Sequence, residues 1–120
     1  MKLRIHKNSI RLRLSQIEVD EIGKGKAISE QLEMGDHPAP NFSYSLTPIT
    51  QNSGIAARFS QGKLIITLPI TIAEEWANSD LVSITNQLPN GTTILIEKDF
   101  QCLHKRPDED ESQNFPNPLA

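Results

Sequence analysis

The sequence predicts an α+β, β-rich fold: duplicated strand-strand-helix-strand-strand units forming one barrel-like or curled antiparallel sheet with two short helices. Three observations lead there. Apolar and polar residues alternate with period two in several short runs, as in strands that bury one face. Two Ser/Thr-x-x-Glu boxes, Ser15 with Glu18 and Thr71 with Glu74, each open a short stretch of helical character. A constant offset of 54 residues lays the first half of the chain over the second. An open antiparallel sheet with both helices on one face is the alternative architecture.

The elements follow in order. Leu3 and Ile5 alternate with Lys2, Arg4 and His6, and Ile10, Leu12 and Leu14 alternate with Arg11 and Arg13. Lys7-Asn8-Ser9 suits a tight turn, Asn8 tolerating positive φ, so residues 2–14 read as a hairpin with an aliphatic face and a cationic one. Ser15 caps a helix of about two turns carrying Ile17, Val19 and Ile22, which stops at Gly23 or Gly25. Residues 27–34 form a third strand with Ile28 and Leu32 inward, residues 35–40 a Pro-stiffened loop, and Phe42, Tyr44 and Leu46 mark a fourth strand. Residues 48–54 are polar and turn-rich, and connect the halves.

The second half repeats the plan. Residues 55–60 are a strand, Gln61-Gly62 a turn, and residues 63–68 a strand with Leu64, Ile66 and Leu68 on one face. Thr71 opens a helix carrying Ile72, Ala73 and Trp76. Residues 81–88 and 92–100 are strands joined through Pro89-Asn90-Gly91, a strong hairpin turn. At the offset of 54, Arg4 falls on Arg58, Ile5 on Phe59, Leu12 on Ile66, Glu21 on Glu75, Ile22 on Trp76 and Ile28 on Val82. Residues 1–104 are thus expected to be one globular domain of two repeats, 2–47 and 55–100. Residues 105–120 are expected to be a flexible, acidic, Pro-containing tail.

Composition narrows the function. The chain has 120 residues, 37% hydrophobic and 5% aromatic, so its core rests mainly on Ile, Leu and Val. A net charge of −3 supplies no overall basic field. No apolar run follows the charged residues 1–7, and no window approaches the ~18 apolar residues of a membrane span. A single cysteine forms no internal disulfide. A cytoplasmic protein with no membrane association and no cofactor is expected, as a monomer or homodimer.

Two resemblances add to this. Residues 8–23, with Asn8-Ser9, an alternating strand, a short helix and a closing Gly23, resemble the swapped-hairpin barrels of AbrB/MazE-type bacterial regulators and antitoxins. Leu68-Pro69 before the second helix is similar to the Leu-Pro of that family. The likeness covers residues 2–34 and, more weakly, 56–88, and implies DNA binding. Ser15 stands where that family has Pro, and Ile65 and Thr67 stand where Arg11 and Arg13 would recur. Over most of its length, through residues 2–14, 97–103 and 115–118, the chain resembles a family of short bacterial proteins of unknown function, which implies no activity.

Two groups of residues are candidates for chemistry. Lys2, Arg4, His6, Arg11 and Arg13 share the cationic face of the first hairpin. Like charges on neighbouring strands repel, so this face needs anions. They come either from Glu97 and Asp99, on alternate positions of the last strand, or from an external anion or nucleic-acid backbone. Cys102 and His104 are weak metal or thiol candidates, too few to close a zinc shell and without an orienting third group. No Gly-rich phosphate loop or Gly-x-Ser-x-Gly is present, so an enzyme is the less favoured reading. The acidic run 108–111 is expected to visit the arginine face as a loose mask. The expected function is a non-catalytic binding or interaction module with a cationic face, its partner an unknown protein, an anionic ligand or nucleic acid. The alternatives are an AbrB/MazE-like DNA-binding regulator or antitoxin, and a metal- or thiol-dependent enzyme using Cys102 and His104.

Overall fold

A computed structural model describes residues 1–33, 35, 42–100 and 112–119. The elements are β1 (Lys2–His6), β2 (Ser9–Leu14), α1 (Gln16–Gly23), β3 (Ile28–Leu32), β4 (Phe42–Ile49), β5 (Ala56–Ser60), β6 (Lys63–Pro69), α2 (Ile70–Ala77), β7 (Ser83–Gln87) and β8 (Thr93–Lys98). The strand-strand-helix-strand-strand plan occurs twice, as the pattern predicts. Contacts divide the chain into two compact units, Met1–Asp20 with Leu81–Ala120, and Glu21–Asp80.

The expected single curled or barrel-like antiparallel sheet is replaced by two four-stranded mixed sheets, neither of them closed. The first runs β1-β2-β8-β7 and the second β3-β4-β6-β5. The alternative of one open antiparallel sheet fails for the same reason. Each sheet joins the opening hairpin of one repeat to the closing hairpin of the other. The joints are parallel: β2 runs beside β8 with Leu12 on Ile96, and β4 beside β6 with Leu46 on Ile66. Period-two alternation is the same for parallel and antiparallel neighbours, so the pattern that locates the strands is silent about their direction.

The registers carry the duplication. Arg4 pairs with Arg11 across β1–β2, and Arg58 with Ile65 across β5–β6, at the offset of 54. The hairpin turns repeat too: Lys7 and Gln61, equivalent residues, take the left-handed conformation at φ 51° and 52°. Asn8, expected to absorb the positive φ, does not. In the closing hairpins the offset changes. Ile28 pairs with Leu46 as Ile84 pairs with Ile96, so Ile28 corresponds to Ile84 and not to Val82. Connections of unequal length before β7 and β8 shift the frame.

Each sheet buries one face. In the first unit Leu12, Leu14, Ile84, Ile94 and Ile96 are buried; in the second, Leu46, Leu64, Ile66 and Leu68. α2 packs on β4 and β6 through the fully buried Ala73 and Trp76. Their equivalents in α1, Val19 and Ile22, are fully buried as well. Equivalent residues also meet directly: a Cβ added to Gly23 would lie 2.5 Å from the Cβ of Ala77, so only glycine allows that approach. Some expected positions differ. Leu32 is 52% exposed, because it pairs with Phe42 at the open end of β3. Residues 81 and 82 precede β7 and are exposed.

The two helix starts are unlike. At α1 the box forms: the Ser15 amide donates to Glu18 Oε1 at 3.0 Å and the Glu18 amide to Ser15 Oγ at 3.4 Å. The α1 end is closed by Gly25 at φ 88°, with the Lys26 amide donating to the Glu21 carbonyl. At α2 the helix begins one residue before Thr71, with Pro69 at the N-cap and no side-chain cap. Pro69 is the equivalent of Ser15, and its fixed φ of −59° prepares the first turn instead. Ser15→Ala is therefore expected to lose about 0.5–2 kcal/mol of stability, while Thr71→Ala stays within about 0.5 kcal/mol. Urea titrations of the two variants check this; equal losses would count against the assignment.

Candidate anion-binding face

The first hairpin builds the site. Because paired residues point to the same side, the register Lys2 to Arg13 and Arg4 to Arg11 gathers four cations on one face of β1–β2. β8 completes it: Arg13 lies beside Glu97 and Arg11 beside Leu95. The opposite face of the same strands carries Leu12, Leu14, Ile94 and Ile96 into the core.

Glu97 settles much of the repulsion. Its Oε1 accepts from Arg11 Nε at 2.5 Å and from Arg13 Nε at 2.8 Å. The carboxylate is 13% exposed, against 30% for Arg11 and 42% for Arg13. Burial pushes the Glu97 carboxyl up, but hydrogen bonds and charge from the two arginines outweigh it and hold it below its ordinary range. Lys2 Nζ reaches Asp99 Oδ2 at 3.0 Å. The acids expected as internal partners thus hold Lys2, Arg11 and Arg13. Arg4 and His6 form no ion pair with any described residue.

Two open depressions lie on this face. One, of about 330 Å³, is lined by Arg4, His6, Ser9, Arg11 and Thr93 with Ile10 and Leu95, and no carboxylate among the described residues borders it. The other, also about 330 Å³, is lined by Arg11, Arg13 and Lys98 together with Glu97 and Asp99. The first sets Arg4 and Arg11 beside the apolar Ile10 and Leu95, and its charge suits an oxyanion; in the second, Glu97 and Asp99 offset most of the charge of Arg11, Arg13 and Lys98.

Residues 112–119, part of the expected tail, add to the same unit. The Phe115 amide donates to the Asp99 carbonyl at 2.8 Å, and the Phe115 ring lies 5.6 Å from Phe100. Lys98 Nζ sits 5.4 Å from the Phe115 ring centre, and the Gln16 amide donates to the Gln113 carbonyl at 2.9 Å. An aromatic among prolines, Phe115, was the sequence signal for this docking. The acidic run 108–111, Cys102 and His104 lie outside the described residues. Among the described residues, no three His, Cys, Asp or Glu side chains gather as a metal site. No helix among them is long and apolar enough to cross a membrane.

A family model, "Family of unknown function (DUF7009)", matches residues 1–119. The chain belongs to the DUF7009 family. No curated protein and no solved structure matches it. The first-half likeness to AbrB/MazE regulators therefore finds no support there, whereas the whole-chain likeness to a family of unknown function does. For this DUF7009 chain the geometry of the site carries the functional reading.

Proposed function

We propose that the protein is a non-catalytic binding module whose first sheet takes an anionic ligand on its cationic face. The observation that carries this is the acid-free depression in which Arg4 and His6 stand beside an Arg11 already oriented by Glu97. A small open volume bordered by Arg4 and by an Arg11 held in place favours recognition of a phosphate-like group over a catalytic step. A DNA-binding regulator of the AbrB/MazE type is the narrower form of this reading, in which the ligand is the phosphate backbone of a duplex.

Titration with inorganic tripolyphosphate and with a short duplex DNA at low salt tests both. Arg4→Gln is expected to weaken binding about tenfold, equivalent to ~1.4 kcal/mol. Duplex binding should also show a steep logarithmic fall with salt, set by the number of phosphates contacted. Unchanged binding in Arg4→Gln, or no binding of either ligand at low salt, would overturn the proposal. Binding of tripolyphosphate without the duplex would remove the regulator reading alone.

A further inference from the structure

The second repeat carries an equivalent of this depression. On the β5–β6 hairpin, a hollow of about 320 Å³ is lined by Arg58, Ser60, Gln61, Lys63 and Ile65. At the offset of 54, Arg58 stands for Arg4, Ser60 for His6, Lys63 for Ser9 and Ile65 for Arg11. The pairing is the same in both hairpins: Arg58 to Ile65 and Ser60 to Lys63 repeat Arg4 to Arg11 and His6 to Ser9. The strand alongside is also equivalent, since Ser43 lies next to Lys63 as Thr93 lies next to Ser9. The cation lost at position 65 is replaced by one at position 63, on the neighbouring pair. The hollow therefore keeps two cations, although the alternating arginines of β2 do not recur.

The polar part of the lining is rich in donors, beside the apolar Ile65. The Arg58 guanidinium, the Lys63 ammonium, the Ser60 hydroxyl and the Gln61 amide all offer donors, and no carboxylate among the described residues borders the hollow. Arg58 and Lys63 form no ion pair with any described residue. Arg58 on the edge strand β5 and Lys63 at the start of β6 are both exposed and so hydrated in the free chain, and a bound oxyanion would find them unclaimed. The volume lies at the low end of small-ligand pockets, about 300–1,000 Å³, and suits a phosphate group rather than a large organic body.

We infer that Arg58 and Lys63, with Ser60 and Gln61, form a second phosphate-binding subsite, the counterpart in the second repeat of the one at Arg4 and His6. This rests on the anion-binding reading of the first repeat, and extends it from one ligand per chain to two. The shared chemistry is a phosphate group, free or within a nucleic-acid backbone.

The test is binding stoichiometry at low salt, measured by calorimetry with inorganic tripolyphosphate and, separately, with a short duplex DNA. For tripolyphosphate the parent chain should take two equivalents. The double variant Arg58→Gln/Lys63→Gln, which removes both charges at exposed positions, should take one, with the remaining affinity within about twofold of the parent, as for independent sites. Arg4→Gln should weaken the other equivalent only. A weakened duplex with intact tripolyphosphate stoichiometry in the double variant would overturn the subsite as a site for free phosphate. One equivalent in the parent, lost with Arg4→Gln and indifferent to Arg58 and Lys63, would overturn this inference while leaving the first site standing. Loss of duplex affinity on top of the lost equivalent identifies the nucleic-acid backbone as a source the subsite accepts.

Discussion

Replacing Trp76 with alanine is expected to lower stability by about 3–5 kcal/mol, and Ile22→Ala by about 2–5 kcal/mol. Both side chains are fully buried at equivalent positions of α2 and α1. Each truncation removes apolar contact and leaves a void that backbone relaxation closes only in part. The indole stands over β4 and β6 as part of a core otherwise built largely from aliphatic side chains, so its volume has few substitutes nearby. Trp76 is the single tryptophan of the chain, so its own fluorescence reports the unfolding of Ile22→Ala. Urea titrations should show a lower midpoint with an unchanged slope in both variants. A loss below about 1 kcal/mol at either position would mean that the site collapses freely, and would break the energetic equivalence of the two helices.

Glu97→Gln should act in opposite directions on stability and binding. The substitution keeps the shape but removes the one carboxylate shared by Arg11 and Arg13, which stand on the same face of β2. Loss of charge-assisted hydrogen bonds of this kind costs about 1.5–3 kcal/mol, nearer the lower figure here because both arginines are partly hydrated. The pH dependence follows from the direction of the shift. Folding lowers the Glu97 pKa from its ordinary value of 4.5, so its contribution is complete above that value. It is lost as pH falls through the depressed folded value. The parent and Glu97→Gln should therefore differ at neutral pH and converge in acid. The freed Arg11 adds to the depression at Arg4, and polyanion affinity should rise several-fold at low salt, shrinking over the ~8–10 Å screening length of moderate salt. A variant as stable as the parent at neutral pH, binding no more tightly, would show that the arginines are held by solvent and not by Glu97.

Much of this was legible in the chain alone. The alternation of Leu12 and Leu14 with Arg11 and Arg13 decided both the strand and its two unlike faces, because side chains of a strand point alternately to either side. The offset that lays Arg4 on Arg58 and Ile22 on Trp76 announced the repeat but not the second hollow, because Ile65 and Thr67 break the cationic alternation there. Ser15 with Glu18 announced a real cap, since both partners are local. Thr71 with Glu74 has the same spelling, but the fixed φ of Pro69 starts the helix one residue earlier.

The sequence by itself determined the elements, most of their buried faces and the cations of the first hairpin, because these depend on residues within a few positions of one another, and it showed the duplication through the constant offset of 54. Only the tertiary structure decided that β2 takes β8 as its neighbour and β4 takes β6, giving two mixed sheets where one was expected. Only it decided that Glu97 bridges Arg11 and Arg13, and that Phe115 returns to Phe100. These are pairings between residues far apart in the chain. Their choice depends on which apolar faces bury together and which charges then meet, and period-two alternation is equally satisfied by either direction of neighbour.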